Sequence, residues 1–192
     1  MDQVKGITVY CASSNSIDGA YLSEARKLGA LIARAGVPLI TGAGKTGLMG
    51  AVNAGAIGAG GVTIGVIPQF MVDNGWETRE LTELIVTEGM HPRKQKMAAM
   101  SRAAIALPGG IGTFEELFEI ITWKQLGLYS GNIVVLNTAG YYDNLLAMFR
   151  TSIERGFMKP DHDALFCVAS TPEEALELAM KPAEPQIFSP KF

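Results

Sequence analysis

One pattern limits this chain more than any other. A short apolar run rich in Val and Ile is followed by a longer stretch with helical spacing, and the pair recurs from end to end. The apolar runs fall at 7–11, 38–41, 62–67, 84–87, 104–107, 133–136 and 165–169. The helical stretches lie near 18–35, 47–59, 91–102, 114–126, 141–155 and 172–180. Strands joined by helical crossovers pair in parallel. The runs are continuously apolar, as strands covered on both faces must be. The expected fold class is α/β: a Rossmann-like three-layer sandwich with a parallel sheet of about seven strands. A single domain is expected over 1–180. A tail at 181–192 carries Pro182, Pro185 and Pro190 and cannot be regular helix. The last helix has Thr171 as N-cap, Pro172 at its first position, and Glu173 and Glu174 in its first turn.

Charge and composition exclude several classes. The net charge of −3 leaves no broad basic surface for nucleic acid or an anionic membrane, so neither is an expected partner. Residues 46–72 carry no charge, which superficially resembles a membrane span. That stretch holds seven glycines with Asn53, Pro68 and Gln69, and reads as a small-residue helix, a glycine turn and a buried strand. Cys11 and Cys167 each sit in an apolar run and read as reduced, buried residues of a cytoplasmic protein. With only His91 and His162 besides, and those scattered, no metal site is expected.

In open parallel sheets, ligands bind beyond the carboxyl ends of the strands, where the strand order reverses. The commonest order sets the first strand beside the fourth. The loops after strands one, four and five should then surround a ligand. They read CASSN (11–15), TEGMHPRK (87–94) and LPGGIGT (107–113). Ser13, Ser14 and Asn15 can face a ligand or merely close a turn. Arg93, Lys94 and Lys96 begin a helix, where cations oppose the helix dipole. They either address an anion or form a solvated basic face. Gly109, Gly110 and Gly112 let backbone N–H groups converge on a phosphate. Thr113 to Glu116 also reads as T-x-x-E, a capping box that would do no more than stabilise a helix.

A second glycine segment runs Gly42-Ala43-Gly44-Lys45-Thr46-Gly47. A P-loop would need glycine at position 39, which is Leu39. A dinucleotide site would need an acid after the third strand, which ends Val66-Ile67-Pro68. No cofactor is expected, although Gly44 permits close backbone approach to a ligand. The long connection at 68–82 reads as a functional loop, with Phe70 and Trp76 as candidates for shaping a base pocket.

Taken together, CASSN, G-x-G-x-x-G-L-M-G at 42–50, G-V-I-P at 65–68, M-H-x-R-K at 90–94, PGGxGTxxE at 108–116 and ITWKQLG at 121–127 resemble the LOG ("Lonely Guy") family. Its members are cytokinin riboside 5′-monophosphate phosphoribohydrolases, often mislabelled lysine decarboxylases. The resemblance covers about residues 6–180. It implies a hydrolase that splits the N-glycosidic bond of a purine nucleoside 5′-monophosphate, AMP or N6-modified AMP, into free base and ribose 5-phosphate. It implies a homodimer with the substrate near the subunit interface and the phosphate in the glycine loop. The family's essential Arg and Glu fall on Arg93 and Glu116. Lys94, Gly110, Ile111, Gly112, Thr113, Glu115 and Thr122 fall on substrate-contact positions. Ala43, Lys45 and Pro92 depart from the usual pattern, which bears on base preference more than on reaction type. The rival reading is a non-catalytic nucleotide or molybdenum-cofactor carrier of the same fold. A pyridoxal-dependent decarboxylase would need a Schiff-base lysine and an acidic partner for the ring nitrogen, and no such constellation stands out.

Overall fold

The computed structural model describes residues 5–183. Seven strands form one sheet: β1 (Gly6–Tyr10), β2 (Leu39–Thr41), β3 (Thr63–Pro68), β4 (Glu83–Thr87), β5 (Ser101–Ala106), β6 (Asn132–Leu136) and β7 (Cys167–Ala169). Between and after them run α1 (Gly19–Arg34), α2 (Gly47–Gly58), α3 (Gln69–Asp73), α4 (Met90–Ala99), α5 (Ile111–Gln125), α6 (Asp143–Glu154) and α7 (Pro172–Met180). The sheet order is β4-β3-β2-β1-β5-β6-β7, and every pairing is parallel. This is the expected α/β class with seven strands.

One expectation about order fails. The first strand lies beside the fifth, not the fourth. The chain steps outward from β1 to β4, and β4 extends the edge beyond β3. It then returns through α4 to β5 on the other side of β1. The crevice where the order reverses therefore opens between β1 and β5. The loop after β4 reaches it only because α4 travels back from the edge.

Side chains alternate across each strand and feed two cores. Ile7, Val9, Leu39, Ile105 and Val134 pack under α1, α2 and α7. Tyr10, Ile40, Val66, Ala104 and Ile133 pack with Met97, Leu117, Ile120 and Tyr142 on the face of α4, α5 and α6. Helices α1 and α2 cross closely through paired glycines. A Cβ on Gly29 would sit 2.0 Å from the Val52 carbonyl oxygen, and one on Gly55 would sit 1.9 Å from that of Arg26.

Several local expectations shift. The connection at 68–82 contains the short α3, and Gly44 and Glu77 form an isolated antiparallel bridge that pins it to the loop after β2. The fifth strand starts at Ser101, because its polar first residues still pair with β1. Residues Pro160–Leu165 form a 3₁₀ turn, so β7 begins only at Cys167. Cys11 is buried as expected, but Cys167 is exposed, because β7 is the edge strand. No helix among the described residues is long and apolar enough to cross a membrane. Most of the expected proline-rich tail, 184–192, lies outside the described residues.

Candidate functional site

Five strand-to-helix junctions, those after β1, β2, β3, β4 and β5, line a cavity of about 690 Å³ at the β1–β5 crevice. That size falls in the range of small-molecule sites. The junctions are tied to one another through the backbone. Ala12 N–H donates to Pro108 C=O at 3.2 Å, and Met49 N–H to Ala12 C=O at 3.1 Å. The Thr46 hydroxyl donates to Ser13 C=O at 2.6 Å, and Gly47 N–H to Asn15 Oδ1 at 3.3 Å.

The anion-accepting end is the start of α5. Its N-cap is Gly110, and no side chain caps it. The first intrahelical bond runs from Phe114 N–H to Gly110 C=O at 3.0 Å. The amides of Ile111, Gly112 and Thr113 precede that ladder, as at any helix start. Gly110, Gly112 and Thr113 line the cavity. Free amides and the positive end of the helix dipole together favour a phosphate there. The capping-box reading of Thr113 and Glu116 fails. The helix starts before Thr113, so its hydroxyl is inside the first turn and not at the N-cap.

Glu116 follows one turn later, with only 9% of its surface exposed, and lines the cavity. Burial pushes its carboxyl up to about 7 from the ordinary 4.5, and the Arg93 charge only partly offsets this. Arg93 is 5% exposed and lines the same cavity from α4. Its Nε donates to Val66 C=O at 3.0 Å, and Nη2 to Gly42 C=O at 3.2 Å. Among the described residues, the hydrogen-bond partners of Nη1 are thioethers, Met90 Sδ at 3.6 Å and Met71 Sδ at 3.9 Å. Sulfur is a weak acceptor, so this edge of the guanidinium remains available to a ligand. Gly42 makes room for the group: a Cβ there would lie 1.9 Å from Nη2. Burial lowers the Arg93 pKa and Glu116 opposes that, but a guanidinium stays charged. The next residue, Ala43, has φ 64°, a strained left-handed conformation in the loop that receives Arg93.

Of the residues singled out from sequence, the cavity gathers Ser13, Ser14, Gly44, Arg93, Gly110, Gly112, Thr113, Glu115 and Glu116. Four stand apart. Gly109 lines a smaller neighbouring pocket with Tyr141. Ile111 is 83% exposed. The Thr122 hydroxyl donates to Phe118 C=O on the exposed face of α5. Lys94 is not among the lining residues, and its ammonium pairs with the cavity-lining Glu115 and with Glu119 at 3.1 Å. Cys11 and Met90 lie in loops expected around the ligand, whereas Gly42, Thr46, Met49, Ile67 and Met71 were not singled out as site residues. Trp76 lines the cavity and Phe70 does not. Met49 and Met90 stand inside sequence motifs and Met71 in the 68–82 connection, but a thioether by itself signals no ligand. Gly42 did lie in a conspicuous glycine segment. Among the described residues, no lysine lines the cavity.

Fold and cavity define the class: a parallel α/β protein with a nucleotide-sized crevice, a helix N-terminus at one end, and a buried arginine and carboxyl beside it. Residues 49–179 match the family model described as "Possible lysine decarboxylase". A cytokinin riboside 5′-monophosphate phosphoribohydrolase of Arabidopsis thaliana is 38% identical over 177 residues, 92% of this chain and 82% of that protein. One from Oryza sativa subsp. japonica is 38% identical over 175 residues, covering 91% and 71%. Among solved structures, the molybdenum cofactor binding protein of Rippkaea orientalis aligns with a TM-score of 0.70 at 25% identity, over 91% of this chain and 94% of that one. The Moco carrier protein of Chlamydomonas reinhardtii aligns at 0.68 and 27%, over 90% and 93%. The chain belongs to the LOG family of cytokinin riboside 5′-monophosphate phosphoribohydrolases.

Proposed function

We propose that this protein hydrolyses the N-glycosidic bond of a purine nucleoside 5′-monophosphate, AMP or an N6-modified AMP, and releases free base and ribose 5-phosphate. One observation carries the reading. A carboxyl raised to about 7 and a fixed guanidinium line one cavity, beside an uncapped helix start that suits a phosphate. The 5′-phosphate sits on the amides of Gly112 and Thr113, which fixes the ribose and turns phosphate binding into orientation. Cleavage builds positive charge at C1′, and the Glu116 carboxylate stabilises it. Water adds its oxygen to C1′ and gives a proton to Glu116. The C1′–N9 bond breaks with its electron pair on the base, and Glu116 returns the proton to the departing base. Arg93 positions the substrate and carries no proton. Ile67, Met71, Trp76 and Met90 supply an apolar wall for the base.

The homodimer belongs to the same reading. Ile111, Phe118 and Thr122 share one exposed stripe of α5 at helical spacing, and Ile111 lies between the cavity-lining Gly110 and Gly112. A second copy laid on that stripe would carry Thr122 toward its partner's site. A cytoplasmic location fits the free Cys11 thiol in the cavity, which a reducing compartment preserves.

The test compares AMP with adenosine and follows products by chromatography. Adenine and ribose 5-phosphate should appear in equal amounts from AMP, and adenosine should be cleaved far more slowly. Binding of AMP without any base release would favour the carrier reading instead.

A further inference from the structure

Two adjacent glycines make the Gly109–Gly110 peptide the loosest link in the turn from β5 to α5, since neither residue restrains its own backbone. A turn that presents N–H groups to a phosphate must hold its carbonyl oxygens elsewhere. All four carbonyls of residues 107–110 are engaged. Leu107 C=O accepts from the Tyr142 hydroxyl at 2.6 Å, and Gly109 C=O from the Tyr141 hydroxyl at 2.5 Å. Pro108 C=O accepts from Ala12 N–H at 3.2 Å, and Gly110 C=O from Phe114 N–H at 3.0 Å. The Gly109 oxygen belongs to the peptide between the two glycines, so that peptide cannot rotate without breaking the Tyr141 bond. Gly109 also packs closely on the cavity-lining Thr113: a Cβ there would lie 2.1 Å from Thr113 Oγ1.

The two tyrosines are themselves held. They end the turn between β6 and α6, in which Ala139 has φ 52° and Gly140 φ 72°. A left-handed alanine persists only where its surroundings over-determine it. Asn137 brackets that turn. Its N–H donates to Ala169 C=O at 2.8 Å, its Oδ1 accepts from Tyr142 N–H at 2.7 Å, and its Nδ2 donates to Asp143 Oδ1 at 2.7 Å. The buried Tyr142 ring meets Phe114 of α5 edge-on at 6.3 Å, and the Tyr141 ring meets Tyr142 at 5.0 Å and Tyr21 of α1 at 6.3 Å.

We infer that Tyr141 and Tyr142 are positioning residues for phosphate recognition: their hydroxyls hold the Leu107 and Gly109 carbonyls so that the turn into α5 meets the anion with N–H groups. This rests on the proposed seat of the 5′-phosphate at Gly112 and Thr113. Neither tyrosine lines that cavity, so each acts through the turn and does not touch substrate.

The experiment measures binding of ribose 5-phosphate and of adenosine by calorimetry, and KM for AMP, in wild type and three phenylalanine variants. Tyr141 is 41% exposed, and Tyr141→Phe keeps the ring while removing the donor. It should weaken ribose 5-phosphate binding and raise KM for AMP by about three- to tenfold, and leave adenosine binding unchanged. Tyr142→Phe should show the same selective loss, read beside its thermal melt because the ring is fully buried. Tyr21→Phe, which keeps the ring packed on Tyr141, should change neither ligand. Ribose 5-phosphate binding that Tyr141→Phe leaves at the wild-type level would overturn the inference, and so would equal weakening of both ligands. If wild type binds ribose 5-phosphate but cleaves no AMP, the hydrolase reading fails on its own, and the same comparison of ligands still decides the role of the tyrosines.

Discussion

Two helices in this chain open on nearly the same four letters. Thr171-Pro172-Glu173-Glu174 starts α7, and Thr113-Phe114-Glu115-Glu116 lies in the first turns of α5. At α7 the motif works as a cap. Thr171 Oγ1 accepts from Glu174 N–H at 3.2 Å, and Glu174 Oε2 accepts from Ser170 N–H at 2.7 Å. At α5 the helix begins at Ile111, and neither side chain caps it. The difference lies upstream. Ser170 and Thr171 leave an extended backbone that ends at the cap, whereas Gly109 and Gly110 carry the chain into helix before Thr113 is reached. One helix start is closed by its own side chains, and the other is left open beside a cavity. The same motif thus stabilises in one place and frees a carboxyl in the other.

The strongest way to break this contrast is to change the two glutamates alike. Glu116→Gln should lower base release from AMP by about 10²–10⁴-fold, the usual scale for losing a general acid–base. Glu174→Gln should leave turnover unchanged. Steady-state rates with AMP decide it. Gly42→Ala sharpens the same point from the other side of the cavity. Its Cβ would lie 1.9 Å from Arg93 Nη2, so the guanidinium must move. A displacement of that size should reduce kcat/KM by about a hundredfold.

Stability should respond in the opposite sense. The folded protein holds a proton on Glu116 that the unfolded chain releases near 4.5, and the folded carboxyl gives it up only near 7. Stability therefore falls as pH rises between those values. Glu116→Gln should be as stable as wild type below pH 4.5 and more stable above pH 7, by up to about 3 kcal/mol. Denaturant melts at pH 4 and pH 8 measure this. The smallest contrast concerns the threonines. Thr171→Ala should cost about 1 kcal/mol through the lost cap. Thr113→Ala should cost no cap energy and should weaken AMP binding instead. Thermal melts of the two variants beside AMP titrations separate the effects.

Much of the fold was legible because a buried parallel sheet writes itself as continuous apolar runs. The glycine loop and Glu116 were legible as chemistry, but not as uncapped chemistry. T-x-x-E describes four residues, and only the helix start decides what they do. The position of β4 was not legible, since nothing in 83–87 distinguishes a strand at the edge from one beside β1. Cys167 looked buried because its run is apolar, yet an edge strand covers only one of its sides. Lys94 read from its place beside Arg93 as addressing an anion or as part of a solvated basic face, and its ion pairs were not legible. Its partners lie more than twenty residues on, a distance that local spacing does not report. Met71 and Gly42 became site residues because the loops after β2 and β3 also reach the crevice.

The most direct test of the central claim uses AMP with two proteins, wild type and Glu116→Gln, measuring binding by calorimetry and products by chromatography. Wild type should yield adenine and ribose 5-phosphate one for one, and Glu116→Gln should bind AMP with similar affinity and leave it intact. Adenine released by Glu116→Gln at the wild-type rate would contradict the account.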